Sequence, residues 1–142
     1  MTVMRILDEK GGNVETAGAT TSLSVIAATL AERKIGAIVI LDGSQLTGIL
    51  SERDIVRAVA HDGVAALEKP AGDYMTAEVV TCTRLETIND VMQKMTAGRF
   101  RHLPVVENGD LVGIVSIGDV VKRRIAEVEQ EARDMRDYIA MS

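Results

Sequence analysis

Two heptapeptides combine the residue types that could bind a phosphorylated ligand. Gly48-Ile49-Leu50-Ser51-Glu52-Arg53-Asp54 returns 65 residues later as Gly113-Ile114-Val115-Ser116-Ile117-Gly118-Asp119. Each copy has a glycine, beside which a ligand can approach the backbone closely, and then a serine with an aspartate three residues beyond it. Because the N–H groups at a helix start attract anions, a serine there and a carboxylate one turn later suit a phosphorylated ribose.

The same spacing also has a purely structural explanation. Ser-x-x-Asp can be a capping box, in which the serine accepts from the N–H of the third helical residue and the acidic side chain there reaches back. The recurrence of the pattern in register, with the same leading glycine, favours a ligand role. Both copies also follow a predicted strand, at whose carboxyl end ligands prefer to bind. A serine can cap a helix and still contact a phosphate.

The heptapeptides belong to a longer internal repeat. When the chain is aligned with itself at a spacing of 65 residues, eight positions are identical between 14–56 and 79–121, and six of them fall within 46–56. We therefore divide the chain into an N-terminal segment (1–13), a first unit (14–61), a linker (62–78), a second unit (79–125) and a C-terminal helical extension (126–142).

Each unit has the same predicted order of elements. Apolar residues spaced i, i+3, i+4 and i+7 predict an amphipathic helix over 23–30 and again over 88–95. Two Val/Ile-rich runs divided by turn residues then predict a hairpin, at 37–41 with 46–50 and at 103–106 with 111–115. A helix follows each serine, so the fold is α+β, with two βαββα units that pack on each other. Residues 1–13 read as a short apolar turn and a glycine turn, and the linker as one helical turn at 64–67.

The last helix is predicted to extend well beyond its counterpart in the first unit. Its apolar positions have a period of about 3.5 residues: Val121, Ile125, Val128, Ala132, Met135 and Ile139. Two explanations stay open. The helix folds back on its own body, or it forms a dimer contact.

Composition excludes several classes of function. One Phe, two Tyr, no Trp and a net charge of -5 argue against stacking on single-stranded nucleic acid and against binding to a phosphate backbone. Cys82, the single cysteine, has no partner for a disulfide or a CxxC metal site, and His102 has no metal-ligand pattern around it. No apolar run approaches a membrane span or a signal peptide. We expect a cytoplasmic protein without metal or catalytic residues.

Several segments of the two repeat units together resemble a tandem pair of CBS domains, the regulatory module named after cystathionine β-synthase. The resemblance covers residues 14–125 and rests on Lys34–Ile40, Gly48–Val56, Arg101–Val106 and Gly113–Asp119. It implies two βαββα units related by a pseudo-twofold axis, two clefts that bind AMP, ADP, ATP, NAD(H) or S-adenosylmethionine, and a disk-shaped homodimer of two such modules.

The resemblance also implies the role of each site residue. Ser51 and Ser116 would bind ligand phosphate, and Asp54 and Asp119 the ribose hydroxyls, so that loss of either aspartate would remove one binding event. The strand starts and the two threonines would line the clefts: Ala37, Ile38, Val39, His102, Leu103, Pro104, Thr16 and Thr81. Arg53 gives the first motif a cation, whereas its counterpart in the second motif is the uncharged Gly118. The second motif would rely on the nearby Arg99, Arg101 and His102 instead.

These features predict a ligand-sensing module without catalytic activity. An effector protein in trans would respond to its ligand-bound state. A carboxylate on the ribose hydroxyls would repel a 2′-phosphate, which favours NAD over NADP. Two alternatives remain. One is an enzyme acting on nucleotides with Asp54 or Asp119 as base, although no electrophile-activating group is visible nearby. The other is a structural dimer whose clefts are vestigial.

Overall fold

The computed structural model describes residues 1–141 and has two similar α+β units. The helices and strands follow the predicted order closely: α1 (Val3–Lys10), β1 (Thr16–Ala17), α2 (Leu23–Arg33), β2 (Ala37–Asp42), β3 (Gln45–Ser51), α3 (Glu52–Asp62), α4 (Ile88–Gly98), β4 (His102–Glu107), β5 (Asp110–Ser116) and α5 (Ile117–Ala140). Between α3 and α4 the linker forms two 3-10 turns, Val64–Glu68 and Ala71–Asp73. The α+β fold and the doubled unit predicted from the repeat are confirmed.

The two hairpins pair their strands in the same register. Ala37 lies opposite Ser51 in β2–β3, and His102 lies opposite Ser116 in β4–β5. Each ladder also shifts at the equivalent place, after Ile40 and after Val105. Because of this shared register, both serines lie at the end of a strand and beside the start of the neighbouring one.

The predicted first strand of the second unit is reduced to a single bridge. In the first unit β1 runs parallel to β2, and Val39 N–H donates to the Glu15 carbonyl at 3.2 Å. In the second unit the residue 65 positions after Val39 is Pro104, which has no N–H to donate. Within the described residues, the equivalent pairing is limited to the isolated parallel bridge between Cys82 and Val105.

The terminal segment and the linker each complete a hydrophobic core. Residues 1–13, predicted as a turn, contain α1 instead, because Val3, Ile6 and Leu7 fall on one helical face and are buried against the second unit. Linker residues Ala66 and Ala71 are buried in the core of the first unit. Cys82 is buried as expected, and burial raises the pKa of its thiol to about 12.

Helix α5 projects from the body. Its 24 residues give it a length of about 36 Å, and every described residue from Glu129 onward is exposed. The interpretation that it folds back on its own body is wrong, because Met135 is 60% and Ile139 65% exposed. Ser142, the last residue of the predicted extension, lies outside the described residues.

Candidate functional site

A cavity of about 400 Å³ lies at the first Ser-x-x-Asp motif. The start of β2, the end of β3 and the first turns of α3 form one wall, and Thr76 and Glu78–Val80, where the linker passes into the second unit, form another. Residues 98–102, where α4 ends and β4 begins, close it from the second unit. The cavity is therefore built by both units, at the position that the repeat predicted for a ligand.

Ser51 and Asp54 form a capping box on α3. The Ser51 N–H donates to Oδ2 of Asp54 at 2.8 Å, and the Asp54 N–H donates to Oγ of Ser51 at 3.3 Å. The Ser51 hydroxyl also approaches Oδ2, at 3.2 Å. Within residues 1–141 no hydrogen bond uses Oδ1 of Asp54. The cap thus engages one carboxylate oxygen and leaves the other without a hydrogen bond among the described residues.

Capping alone does not mark a site in this chain. Thr87 and Asp90 form the same box on α4, with bonds of 3.2 Å and 3.1 Å, yet neither residue lines the cavity. What distinguishes Ser51 and Asp54 from that pair is the 400 Å³ space in front of them.

Ser116 and Asp119 repeat the capping box on α5 in a different environment. The Ser116 N–H donates to Oδ2 of Asp119 at 2.9 Å. The same oxygen accepts from Nζ of Lys10, at the end of α1, at 2.7 Å. Burial raises the pKa of Asp119, but the hydrogen bonds from Lys10 and Ser116 more than offset it, so that the pKa is lowered. The second carboxylate already has a cation as its partner.

Charged side chains of both signs line the first cavity, with a small excess of positive charge. Three carboxylates line it, from Glu52, Asp54 and Glu78, against four guanidinium groups: Arg53, Arg57, Arg99 and Arg101. Burial lowers the pKa of His102 in the same wall, although the carboxylate of Glu52 acts in the opposite direction. His102 is therefore neutral at physiological pH, and the arginines are the cations that a ligand phosphate would meet.

The structure brings together only part of the predicted set. The residues that line the cavity are Ala37, Ser51, Arg53, Asp54 and His102. Ile38, Val39 and Leu103 are at most 2% exposed and face the core, so only their backbone is available to a ligand. The remaining predicted residues lie outside the cavity lining: Thr16, Thr81, Pro104, Ser116 and Asp119.

Arginines that the sequence associated with the second motif line the first cleft. Arg99 and Arg101 come shortly before β4, whose first residue pairs with Ser116, but they contribute to the cavity in front of Ser51. Arg57 was not singled out, although it follows Arg53 by four residues on α3 and so shares its helical face. That four-residue spacing was the sequence signal that could have identified Arg57. Phe100 and residues Glu78–Val80 gave no such signal.

Other kinds of site find no support in the described part of the chain. No group of three or more His, Cys, Asp or Glu side chains within residues 1–141 could hold a metal ion. Over the same residues no helix is both long enough and apolar enough to cross a membrane.

Comparison with known proteins agrees with the repeat. The model of the family described as CBS domain matches residues 6–61 and 71–126. The chain is 35% identical over 116 residues to the mitochondrial CBS domain-containing protein CBSX3 of Arabidopsis thaliana. That match covers 78% of this chain and 56% of the relative, so the chain spans about half the length of this curated protein.

Solved structures have the same fold. A CBS-domain containing protein of Agrobacterium tumefaciens, ATU1752, is 48% identical with a TM-score of 0.84, over 87% of this chain and 92% of that one. The CBS domain pair of protein MJ0100, solved in complex with 5-methylthioadenosine and S-adenosyl-L-methionine, is 27% identical with a TM-score of 0.80, over 89% of this chain and 98% of that one. The repeat, the fold and these matches show that the chain belongs to the CBS domain family.

Proposed function

We propose that this chain is a regulatory module that binds an adenosine nucleotide in the first cleft. The observation that supports this most directly is the cavity in which Ser51, Asp54 and four arginines meet. The complex of MJ0100 with two adenosine compounds supports an adenosine ligand for a related CBS pair. The position of the cavity at the carboxyl end of β3 is also where ligands of α/β folds commonly bind.

The residues suggest how the ligand is oriented. Oδ1 of Asp54, which the helix cap does not use, accepts from the ribose hydroxyls. The phosphates lie toward Ser51, the N–H groups at the start of α3 and the arginines. The backbone at Ala37 and His102 borders the adenine.

Charge then restricts the choice of ligand. Four guanidinium groups favour AMP, ADP, ATP or NAD(H) over S-adenosylmethionine, which has no phosphate to neutralise them. The carboxylate of Asp54 at the ribose disfavours a 2′-phosphate and hence NADP.

Binding, rather than catalysis, is the proposed activity. Asp54 is held in a helix cap by Ser51, which orients its carboxylate for a ribose. The output then passes to an effector protein in trans, because ligand binding across the two units changes their relative stability or arrangement. A cytoplasmic location stays a prediction, and so does the homodimer, for which the exposed face of α5 is the supporting observation.

The test is calorimetric titration with AMP and ATP, using two matched variants. Asp54→Ala and Asp90→Ala each remove the acidic member of a capping box and each cost about 1 kcal/mol of stability. Only Asp54→Ala removes a ligand contact, so it weakens binding by about one to two decades while Asp90→Ala binds like the parent. Equal binding by both variants would reduce the motif to a cap.

Two further measurements separate the alternatives. Turnover of ATP, AMP or NADH by the pure protein would favour the enzyme. A panel of adenosine compounds that leaves the melting temperature unchanged would favour vestigial clefts. A regulatory module gives ligand-dependent stabilisation without product.

A further inference from the structure

Helix α1 directs a lysine at the second Ser-x-x-Asp motif. Nζ of Lys10 donates to Oδ2 of Asp119 at 2.7 Å and to the carbonyl of Ile114 at 3.0 Å. Ile114 is the counterpart of Ile49, which lines the first cavity. The lysine ammonium therefore lies at the place in the second unit that corresponds to the wall of the ligand cleft in the first.

The segment that packs on the glycine of the first motif leads to an acidic residue instead. A Cβ on Gly48 would lie 2.4 Å from Sδ of Met75, and a Cβ on Gly113 would lie 2.6 Å from Cδ2 of Leu7. Met75 and Leu7 thus pack on equivalent glycines. Three residues beyond Met75 is Glu78, in the wall of the open cavity, and three residues beyond Leu7 is Lys10. Helix α1 thus brings a base to the second motif, whereas the linker brings an acid to the wall of the first cavity.

Helix α1, which carries Lys10, is packed firmly on the second unit. Val3, Ile6 and Leu7 are buried in the core of the second unit, and the N–H of Val3 donates to the carbonyl of Glu86 at 3.0 Å. Beside Lys10, Glu9 accepts a hydrogen bond from the guanidinium of Arg123 on α5. Since α1 is tied to the body on both sides, the contact with Asp119 changes through motion of the lysine side chain and not of the helix.

We propose that Lys10 is a latch that occupies the second cleft, so that the chain binds one nucleotide, in the first cleft, until the lysine leaves Asp119. The ammonium pairs with Oδ2, the oxygen that the cap also uses, and a second bond to the Ile114 carbonyl holds it beside the carboxylate, so it competes with a ribose through its charge and the space it occupies. The latch rests on the proposed function for the kind of ligand it excludes. It adds that the two motifs differ in ligand binding because of Lys10, which belongs to neither motif.

Titration of the purified chain with AMP and with adenosine tests the latch. The parent binds one ligand per chain, and Lys10→Met, which keeps the length of the side chain without its charge, binds two. Arg5→Met is the matched control, since it removes a cation from the exposed side of the same helix and leaves one binding event. A parent with two events, or a Lys10→Met chain with no more events than the parent, would overturn the latch.

A second measurement needs no ligand. The destabilisations caused by Lys10→Met and Asp119→Asn are less than additive in a double-mutant cycle if the contact exists in solution, and strict additivity would overturn the proposal. The two hypotheses fail in different ways. Failure of the nucleotide site is a parent that binds nothing, whereas failure of the latch is the absence of any gain on Lys10→Met relative to that parent.

Discussion

A Cβ atom on Gly36 would lie 3.0 Å from both Cε1 and Nε2 of His102. The two residues pack against each other in the lining of the first cavity, one immediately before β2 and one at the start of β4. Gly36→Ala should therefore displace the imidazole, which lines the ligand space, by a few tenths of an ångström. We expect AMP affinity to fall by about tenfold in calorimetry, as overpacking costs about 1–3 kcal/mol.

Gly18→Ala is the control for this substitution. A Cβ on Gly18 would meet nothing closer than 4.0 Å, and the residue does not line the cavity. It should leave affinity unchanged. Equal affinities for Gly36→Ala and the parent would show that the ligand does not use the space beside His102.

Arg99 lines the cavity from a left-handed backbone conformation, with φ of 56°. Glycine adopts that conformation without strain, while an L-residue there costs about 1–2 kcal/mol. Arg99→Gly should therefore raise the free energy of unfolding, or leave it unchanged, and still weaken nucleotide binding by about tenfold through loss of a cation. Chemical denaturation and calorimetry on the same sample measure the two effects.

Lys34 provides a matched control, because it ends α2 with the same φ of 56° and lies outside the cavity lining. Lys34→Gly should change stability as Arg99→Gly does and leave binding intact. A loss of binding in both variants would mean that the repeat geometry, and not the guanidinium of Arg99, determines affinity.

Acid should destabilise the fold through His102. Burial lowers its pKa in the folded state, although Glu52 opposes the shift, while the unfolded chain keeps the ordinary value of about 6.5. As pH falls below about 6.5 the unfolded state takes up a proton that the folded state resists, so stability is complete above this pH and decreases below it. Melting temperatures between about pH 7.5 and pH 5 measure the loss, which His102→Gln should reduce.

His61→Gln is the matched control, because the His61 side chain is 86% exposed at the end of α3 and lies outside the cavity lining. This variant should keep the acid sensitivity of the parent. If His102→Gln also keeps it, the pH dependence has another origin. The carboxyl of Asp119, whose pKa is lowered, acts in a more acidic window, below about pH 4.

The repeat made much of the fold predictable. Strand register depends on local pattern, and the 65-residue spacing transferred each element from one unit to the other, so that Ser51 and Ser116 lie at equivalent strand ends. The absence of a counterpart to β1 in the second unit also has a cause in the sequence, because Pro104 has no N–H. That cause became visible only when the structure showed that the N–H of Val39, its counterpart, pairs with β1's neighbour Glu15.

The site was less predictable, because its second wall comes from distant sequence. Arg99 and Arg101 are close to the second motif along the chain and face the first in space. Lys10 lies 109 residues before Asp119, and no local pattern indicated their contact. The spacing of Val3, Ile6 and Leu7 was the available clue to α1, since it places the three side chains on one helical face.

Helix α5 should hold two copies of the chain together. Its apolar seam has a period of 3.5 residues and is exposed, with Ile125 at 54%, Met135 at 60% and Ile139 at 65%. Pairing with the same face of a second copy would remove that surface from water. We expect light scattering to give twice the chain mass for the parent and the single mass for a chain that ends after Arg124.

Point variants distinguish loss of this contact from damage to the fold. Met135→Lys places a charge on the seam, whereas Gln130→Lys adds the same charge on the opposite side of the helix, between Arg133 and Asp134. Because both positions lie beyond the body, neither substitution should lower the melting temperature of the core. Met135→Lys should shift the mass toward the monomer and Gln130→Lys should not. A dimer that persists in Met135→Lys and in the truncated chain would place the interface on the body of the module, away from α5.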